Sequence, residues 1–366
     1  MRAHRRHAAL LAVAASLALA LGACGKAAES GTVVRPVPPP TTGHPTIGLL
    51  LPDSTTPRWD RFDRPLIERR IVRLCPACTV QAVSAQGDVA LQQQQVDSMI
   101  IKGVNALLLV PVNAKAMRPA VEKARNARIP VVSYDRLAEG PISAYVSFDG
   151  QEVGRLQAKA LLRAMGPRAR GAGIVMMNGD LADPNGVAFK KGALSVLHGR
   201  VRIEKSYDTA GWRPENAYTN MSGAIAALGP HRIDGVYAAN DGLASGVIAA
   251  LRANSIRPIP PVTGQDAELA AVQRIVEGKQ YMSVYKPFKP EAYAAARIAV
   301  NLARGAGPGP IARDRVRGDV PAVLLRPIPL TVHNIRQTVV KDGMYTIRQI
   351  CTPEYRPACV RAGLMP

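Results

Sequence analysis

Charged side chains and tryptophans follow several short apolar segments of this sequence, where they could bind a small polar molecule. Arg58 and Trp59 come shortly after the first such segment, and Lys286 directly follows a later one. Carboxylates accept hydrogen bonds and Arg or Lys side chains donate them, and such charge-assisted bonds are stronger than neutral ones. A flat indole ring adds an apolar surface for packing. The polar residues placed in this way are Asp53, Arg58, Asp135, Arg136, Asn240, Asp241, Gln265, Asp266 and Lys286.

The same set contains a carboxylate pair that could serve as a catalytic acid and base. Asp135 and Asp266 would be the two carboxylates of a glycosidase-type site. Arg58, Arg136 and Lys286 would keep both acids ionised, however, which removes the proton donor. The sequence has no GxGxxG after its first apolar segment, no GxxxxGK[ST] and no convincing metal-ligand cluster. We therefore expect no enzyme activity, no cofactor and no metal.

The elements that would position these side chains alternate between apolar strands and helical patterns. Two such series in one chain predict two doubly wound α/β lobes with parallel sheets. Ligands bind such sheets at the carboxyl ends of the strands, which is where the polar residues lie. The predicted strands are 47–51, 80–84, 106–110, 131–134, 174–177, 201–207, 235–239, 262–264 and 281–285, with extended segments near 321–331. The predicted helices are 59–74, 89–102, 114–127, 151–165, 186–198, 214–227, 241–253, 267–277 and about 290–304.

The first 44 residues indicate export rather than a membrane span. Three arginines precede an apolar run at 8–21, which is too short to cross a bilayer. The following Leu-Gly-Ala-Cys resembles the lipobox of bacterial lipoproteins, so 1–23 is the predicted signal peptide and Cys24 the predicted lipid anchor. The alternative is an ordinary signal peptide with an unrelated cysteine. Residues 24–44 are rich in proline and small polar residues and predict a flexible tether.

The formal net charge of +20 raises the alternative of nucleic-acid binding. Removal of the signal peptide, which holds three arginines and no acids, leaves +17. The arginines are scattered, and four phenylalanines and two tryptophans offer little for stacking on bases. We therefore expect no nucleic-acid partner; weak attraction to anionic lipid or cell wall is the favoured consequence.

Four cysteines remain after Cys24, in two close pairs: Cys75 with Cys78, and Cys351 with Cys359. An even number in an exported protein favours local disulfides. A thioredoxin-like redox pair and a zinc site are the alternatives. The redox motif belongs at the N-terminus of a helix, whereas Cys75 follows the end of a predicted helix, which favours a structural disulfide. The run of glutamines at 92–95 is predicted to form the outer face of a helix.

Several short motifs occur in a specific order between residues 46 and 343. They are Arg58-Trp59, NALLLVP at 105–111, Tyr134-Asp135-Arg136, Ser147-Phe148-Asp149, VGRLQAKAL at 153–161, GWRPENA at 211–217, Asn240-Asp241, GQDA at 264–267 and VYKP at 284–287. In this order they resemble the type I periplasmic sugar-binding proteins, the ribose- and xylose-binding family. The resemblance covers nearly the whole predicted folded body.

The resemblance implies that a pyranose binds in a cleft between the two lobes, its ring held between Trp59 and Trp212. D-xylose is the favoured ligand, with glucose or arabinose as alternatives. It further implies a monomer that closes about a hinge and delivers the sugar to an ABC transporter permease. A sugar-responsive regulator of the same fold would need an N-terminal helix-turn-helix, which the sequence replaces by a signal and a tether. The implied ligand-binding residues are Arg58, Trp59, Asp135, Arg136, Asp183, Asn185, Trp212, Asn240, Asp266 and Lys286.

The predicted hinge joins the lobes at three crossings, near Phe148, Tyr285 and Leu325. The expected first lobe is 45–148 with about 285–322, the second is 149–284 with about 323–350, and 351–366 is a disulfide-stapled tail.

Overall fold

The computed structural model describes residues 43–366. The predicted signal peptide, Cys24 and the tether as far as residue 42 lie outside the described residues. Within residues 43–366, no helix has both the length and the apolar character needed to cross a membrane.

Strands and helices alternate along most of the described chain. The strands are β1 Thr46–Leu51, β2 Thr79–Ser84, β3 Ala106–Leu109, β4 Val131–Tyr134, β5 Ala144–Phe148, β6 Gly173–Asn178, β7 Arg202–Asp208, β8 Gly235–Ala238, β9 Ser283–Tyr285, β10 Asp314–Val316, β11 Val320–Leu325 and β12 Ile328–Leu330. The helices are α1 Arg64–Leu74, α2 Val89–Ile101, α3 Arg118–Asn126, α4 Gly150–Met165, α5 Pro184–Leu197, α6 Pro214–Leu228, α7 Asp241–Ala253, α8 Leu269–Val276, α9 Phe288–Ala303, α10 Ile347–Ile350 and α11 Arg356–Arg361. A π-helical turn, Trp59–Asp63, precedes α1.

The larger sheet has the strand order β10-β11-β5-β4-β3-β1-β2 and is parallel except for the β10–β11 pair. Apolar clusters lie on both of its faces: α1 and α9 cover one face, and α2 and α3 cover the other. Burial on both sides explains why every residue of β3 and β4 is buried and why β3 is a continuous apolar run rather than an alternating one.

The smaller sheet has the parallel order β7-β6-β8 and forms the core of the second lobe. The predicted strand at 262–264 is wrong: Val262 makes one isolated bridge to Val236, and Gln265 makes another to Val284. Prolines at 260 and 261 remove backbone donors there, so a ladder cannot continue. The parallel α/β architecture otherwise confirms the predicted fold class.

Three connections link the sheets. The chain leaves β5 at Phe148 for α4, passes from β9 to α9, and passes from β11 to β12. β11 pairs with β5 as far as Leu325, and β12 pairs with β9 in a two-stranded antiparallel ribbon. The exact lobe boundaries and the hinge motion stay predictions.

Helix α4 packs closely on α5, and this contact fixes the position of α5, which borders the cleft. A Cβ on Gly154 would lie 1.9 Å from the carbonyl oxygen of Phe189, and one on Gly192 would lie 2.0 Å from that of Gln151. Only glycine allows two helix backbones to approach this closely. The contact holds α5 against the second sheet.

The glutamine run departs from its predicted position on an outer helix face. Gln92 is fully buried; its Nε2 donates to the carbonyl of Val110, and its Oε1 accepts from the backbone N–H of Val112, both at 2.8 Å. Asp88 caps the start of α2, since its carboxylate accepts from the backbone N–H of Leu91 at 3.0 Å. Gln92 therefore anchors the loop after β3 to α2.

Disulfides join Cys75 to Cys78 and Cys351 to Cys359. The first lies directly after α1. The second closes the C-terminal segment, whose apolar side chains pack with α8, Tyr285 and β12 in one cluster.

Candidate functional site

Most of the predicted ligand-binding residues meet at one small cavity between the lobes, which we call the cleft cavity. Nine of the ten line it, and Asn185 lies directly behind, where its Nδ2 donates to Asp135 Oδ1 at 3.0 Å. Thr56, Phe189 and Gln265 complete the lining. The nine are Arg58, Trp59, Asp135, Arg136, Asp183, Trp212, Asn240, Asp266 and Lys286.

Arg58 is held by carboxylates on several sides. Its Nε and Nη2 donate to the two oxygens of Asp63 at 2.8 and 2.9 Å, and Nη2 also donates to Glu291 Oε2 at 2.8 Å. Its Nη1 donates to Asp135 Oδ2 at 2.7 Å. The Tyr134 hydroxyl donates to Asp63 in turn. A planar guanidinium bound on two edges cannot rotate, so Nη1 has a fixed direction towards the cleft cavity.

Burial and the neighbouring carboxylates shift the pKa of Arg58 in opposite directions. Burial alone would lower the pKa of Arg58, but Asp135, Asp63 and Glu291 outweigh it and raise that pKa. Burial raises the pKa of Glu291 and of Asp63, although Arg58 opposes this. Glu291 Oε1 has no hydrogen-bond partner among the described residues, so Arg58 is the group that compensates this buried carboxyl.

Asp135 is the point where contacts from both lobes converge. Lys286 Nζ lies 3.1 Å from its Oδ2 and 3.3 Å from Asp266 Oδ1. Burial favours the neutral form of Asp135, but Arg58 and Lys286 outweigh it and hold the pKa of Asp135 well below its usual range. Asp135 is therefore ionised at neutral pH and acts as an acceptor rather than as an acid catalyst.

Asp183 and Trp212 form a second contact group, in the second lobe. Trp212 Nε1 donates to Asp183 Oδ2 at 3.1 Å, and Arg136 of the first lobe forms an ion pair with the same oxygen, 2.8 Å from its Nε. Asp183 also caps α5 by accepting from the backbone N–H of Asn185 at 2.9 Å. Burial raises the pKa of Asp183, with Arg136 opposing it.

The two tryptophans differ in their surroundings. Trp59 is 2% exposed, with the guanidinium of Arg58 4.4 Å from its ring centre and that of Arg136 at 5.6 Å. Trp212 packs edge-on against Phe189, at 6.2 Å between ring centres. Both line the cleft cavity, whereas their stacking on a ligand stays a prediction.

Three cavity residues have a left-handed backbone, which is uncommon for residues other than glycine. The φ angles are 57° at Asp135, 55° at Trp212 and 91° at Asp266. Such conformations cost of the order of 1–3 kcal/mol each and concentrate at ligand sites. They occur in three separate segments around one cavity, which is the pattern expected of a ligand site.

The cleft cavity has a volume of about 20 Å³, which is room for roughly one water molecule. It is narrow because the charged side chains of the two lobes touch across it, as Arg136 and Asp183 do. A larger ligand does not fit between the lobes in this arrangement. No group of three or more His, Cys, Asp or Glu in residues 43–366 is placed to hold a metal ion.

Sequence reasoning missed the groups that support the cleft cavity. Asp63 and Glu291 lie inside helical segments, and Phe189 lies in an ordinary amphipathic helix. A lone acid within the otherwise apolar face of α9 was the available signal for Glu291, since an unpaired charge is rarely fully buried.

Comparison with known proteins gives the family. A family model described as a periplasmic binding protein domain matches residues 47–307. The chain belongs to the periplasmic binding protein family.

Relatives of this periplasmic binding protein agree with the predicted resemblance. The D-xylose-binding periplasmic protein of Escherichia coli is 36% identical over 306 residues, which cover 82% of this chain and 90% of the relative. That of Haemophilus influenzae is 35% identical over 311 residues, with 83% and 91% covered. An ABC transporter solute-binding protein from Clostridium phytofermentans, solved with β-D-glucose, is 27% identical with a TM-score of 0.77 and 83% and 99% covered. The predicted family is confirmed, and this periplasmic binding protein is a transport protein rather than an enzyme.

Gly179→Ala should displace Trp212 in this periplasmic binding protein. A Cβ at this position would lie 2.0 Å from Cη2 of the indole, so the ring must leave its place. We expect a red shift of tryptophan fluorescence and weaker ligand binding. Gly223→Ala is the matched control, because nothing lies within 4 Å of its Cβ and alanine favours the helix. An unshifted emission spectrum in Gly179→Ala would contradict the expected clash.

Proposed function

We propose that this protein is the receptor of an ABC sugar importer, with D-xylose as its preferred monosaccharide. The observation that carries the proposal is the cleft cavity, which combines ionised acceptors, fixed cationic donors and two indole rings. The two D-xylose-binding relatives support the choice of sugar. A close pyranose is the alternative, because the relative from C. phytofermentans was solved with β-D-glucose.

The chemistry of a sugar matches this lining. A pyranose has an equator of hydroxyl groups and two faces of C–H groups. Asp135 can accept from hydroxyls while Arg58 and Lys286 donate to them, and the indole of Trp212 can cover a C–H face. A pentose has about ten non-hydrogen atoms, so micromolar binding at −8.2 kcal/mol needs about 0.8 kcal/mol per atom, below the ceiling of about 1.5. Tight capture is therefore feasible.

Binding would proceed by closure of the two lobes. The contacts Arg136–Asp183 and Asn185–Asp135 cross the cleft, so they open when the lobes separate and admit the sugar. After closure the sugar hydroxyls take over part of these bonds. Bending at the three connections leaves each sheet intact, and the closed form would then dock on the permease.

The protein would act outside the cytoplasm, attached to the membrane through a lipid on Cys24 and working as a monomer. Residues 24–44 would hold the folded body away from the membrane surface. No nucleic acid takes part.

Isothermal titration calorimetry tests the proposal on the exported chain starting at Gly25, which keeps every residue that the structure describes. The ligands are D-xylose, D-glucose, L-arabinose and D-ribose. One-to-one binding of D-xylose at micromolar or lower Kd, with weaker binding of the others, is the expected result. Tighter binding of D-glucose would select the alternative, and no binding of any of the four would refute both.

Closure itself is checked by small-angle X-ray scattering. Saturating D-xylose should lower the radius of gyration, because the lobes close on the sugar. Ribitol or another polyol that does not bind in the calorimeter serves as the control. An identical radius with and without the bound sugar would refute hinge closure.

A further inference from the structure

A second cavity lies beside the cleft cavity, and we call it the side cavity. Its volume is about 270 Å³, against about 20 Å³ for the cleft cavity by the same measure. Thr56, Arg58 and Asp266 line both, so the two are separated by side chains rather than by backbone layers. A group attached to a ligand in the cleft cavity would reach this space past the boundary formed by Arg58 and Asp266, whose Nη1 and Oδ1 atoms are 3.5 Å apart.

The lining of the side cavity is mainly apolar and comes from segments far apart in the sequence. Phe62 lies in the π-helical turn and Phe288 begins α9, with 5.6 Å between their ring centres. Tyr345, from the segment before α10, contacts Phe62 edge-on at 5.8 Å. Leu269 at the start of α8 and Met344 add aliphatic surface. Three aromatic rings with Leu and Met form a surface suited to a flat apolar group.

Two ionisable side chains, Arg61 and Glu268, lie at the edge of the side cavity. The Arg61 guanidinium lies 5.7 Å from the ring centre of Phe62 and 5.8 Å from that of Tyr345. Burial raises the pKa of Glu268 to about 8, with Asp241 and Asp266 adding to the shift, which leaves this carboxyl largely neutral at pH 7. Among the described residues Arg61 makes no ion pair and lies near the rings of Phe62 and Tyr345, and most of the lining is apolar, which favours an uncharged group.

We propose that the side cavity receives an uncharged aromatic or alkyl group carried on the anomeric oxygen of the sugar. The inference rests on the proposed function, because the sugar in the cleft cavity positions the attached group. The protein would then bind simple aryl and alkyl glycosides as well as the free sugar. Closure would bury the substituent between Phe62 and Phe288 on one side and Leu269 and Met344 on the other.

Calorimetry with four ligands tests the inference on the chain starting at Gly25. They are D-xylose, methyl β-D-xylopyranoside, and phenyl D-xylopyranoside as the β and the α anomer; the glycosides of D-glucose replace them if that sugar binds more tightly. Transfer of a phenyl ring from water into an apolar cavity should tighten binding about tenfold or more relative to the methyl glycoside. At least one phenyl anomer is expected to show this gain.

Two variants that fill the side cavity distinguish binding of the phenyl group in this cavity from a general effect on sugar binding. Leu269→Trp and Met344→Trp should each remove the advantage of the phenyl glycoside while leaving the Kd of the free sugar within about twofold. Leu91→Trp, on the partly exposed face of α2, is the matched control and should keep the advantage. Circular dichroism and the melting temperature report whether each variant is folded.

The outcomes distinguish the subsite from the proposed function. If the free sugar binds but neither phenyl anomer binds more tightly than the methyl glycoside, the subsite is refuted and the proposed function stands. Equal weakening of free sugar and phenyl glycoside by both tryptophan variants would also refute it. If no sugar binds, the proposed function fails and the subsite fails with it.

Discussion

Arg58→Met is expected to lower the free energy of unfolding by about 3–5 kcal/mol and to abolish sugar binding. Removal of the guanidinium leaves Asp63, Glu291 and Asp135 without the cation that they share. Methionine fills much of the volume, so the loss arises from uncompensated buried carboxyls rather than from a cavity. Urea denaturation measures the stability, and calorimetry measures the binding.

The loss of stability in Arg58→Met should depend on pH. Burial raises the pKa of Asp63 and Glu291 in the folded protein, and without Arg58 only the Tyr134 hydrogen bond to Asp63 and the charge of Lys286 near Glu291 oppose this. Unfolded carboxyls ionise near pH 4, so the variant loses stability as the pH rises from about 4 through the raised folded-state pKa values. We expect a smaller difference from the natural protein at pH 5 than at pH 8.

Arg64→Met is the matched control, because Arg64 pairs with Glu68 on the exposed surface of α1. Such exposed pairs contribute about 0–1 kcal/mol. Equal destabilisation by the two substitutions, or a pH-independent loss in Arg58→Met, would show that the carboxylate cluster does not depend on its arginine.

Trp212→Ala is expected to weaken sugar binding by about 30-fold or more, which corresponds to a hot-spot loss of about 2 kcal/mol. The indole covers one side of the cleft cavity and also donates to Asp183, so its removal exposes the ligand face and frees an acceptor. The protein should stay folded, because Trp212 lies at the edge of the second core, against Phe189 and Gly179.

Tyr218→Ala serves as the control for Trp212→Ala, since this aromatic side chain on α6 is 40% exposed. Its affinity for the sugar should be unchanged. Calorimetry gives the Kd of both variants, and circular dichroism gives their folded fraction. Unchanged affinity in a folded Trp212→Ala protein would mean that the indole does not contact the sugar.

The alternation of strands and helices was enough to predict the two-lobed α/β fold. β5 and β10 were left out of the predicted strands; the five residues of β5, AYVSF, stand between a Pro-containing turn and Asp149 and show no distinctive periodicity. Gln92 was predicted to lie on the surface, because a polar side chain indicates exposure when only one sequence is known. Its burial is favourable because the fold places the carbonyl of Val110 within hydrogen-bond distance of its side chain.

The candidate site likewise contains some residues that could be predicted from the sequence and others that could not. Asp135, Asp266 and Lys286 could be predicted because each directly follows a strand or an extended segment at the carboxyl edge of a sheet. Asp63 and Glu291 could not, because they act through Arg58, which approaches Glu291 from 233 residues away in the sequence. Position in an element indicates where a side chain lies, whereas the partners that make a buried charge stable depend on the tertiary structure.

The left-handed residues around the cleft cavity limit how this protein could be redesigned as a sensor for other sugars. At Asp135, Trp212 and Asp266 a new side chain must also tolerate a positive φ, so β-branched replacements there carry a backbone penalty unrelated to the ligand. Libraries of variants at these positions should therefore be dominated by Asn, Gly and Asp survivors. Arg136 and Lys286 are not among the residues with a positive φ, so substitutions at these two positions carry no such backbone penalty.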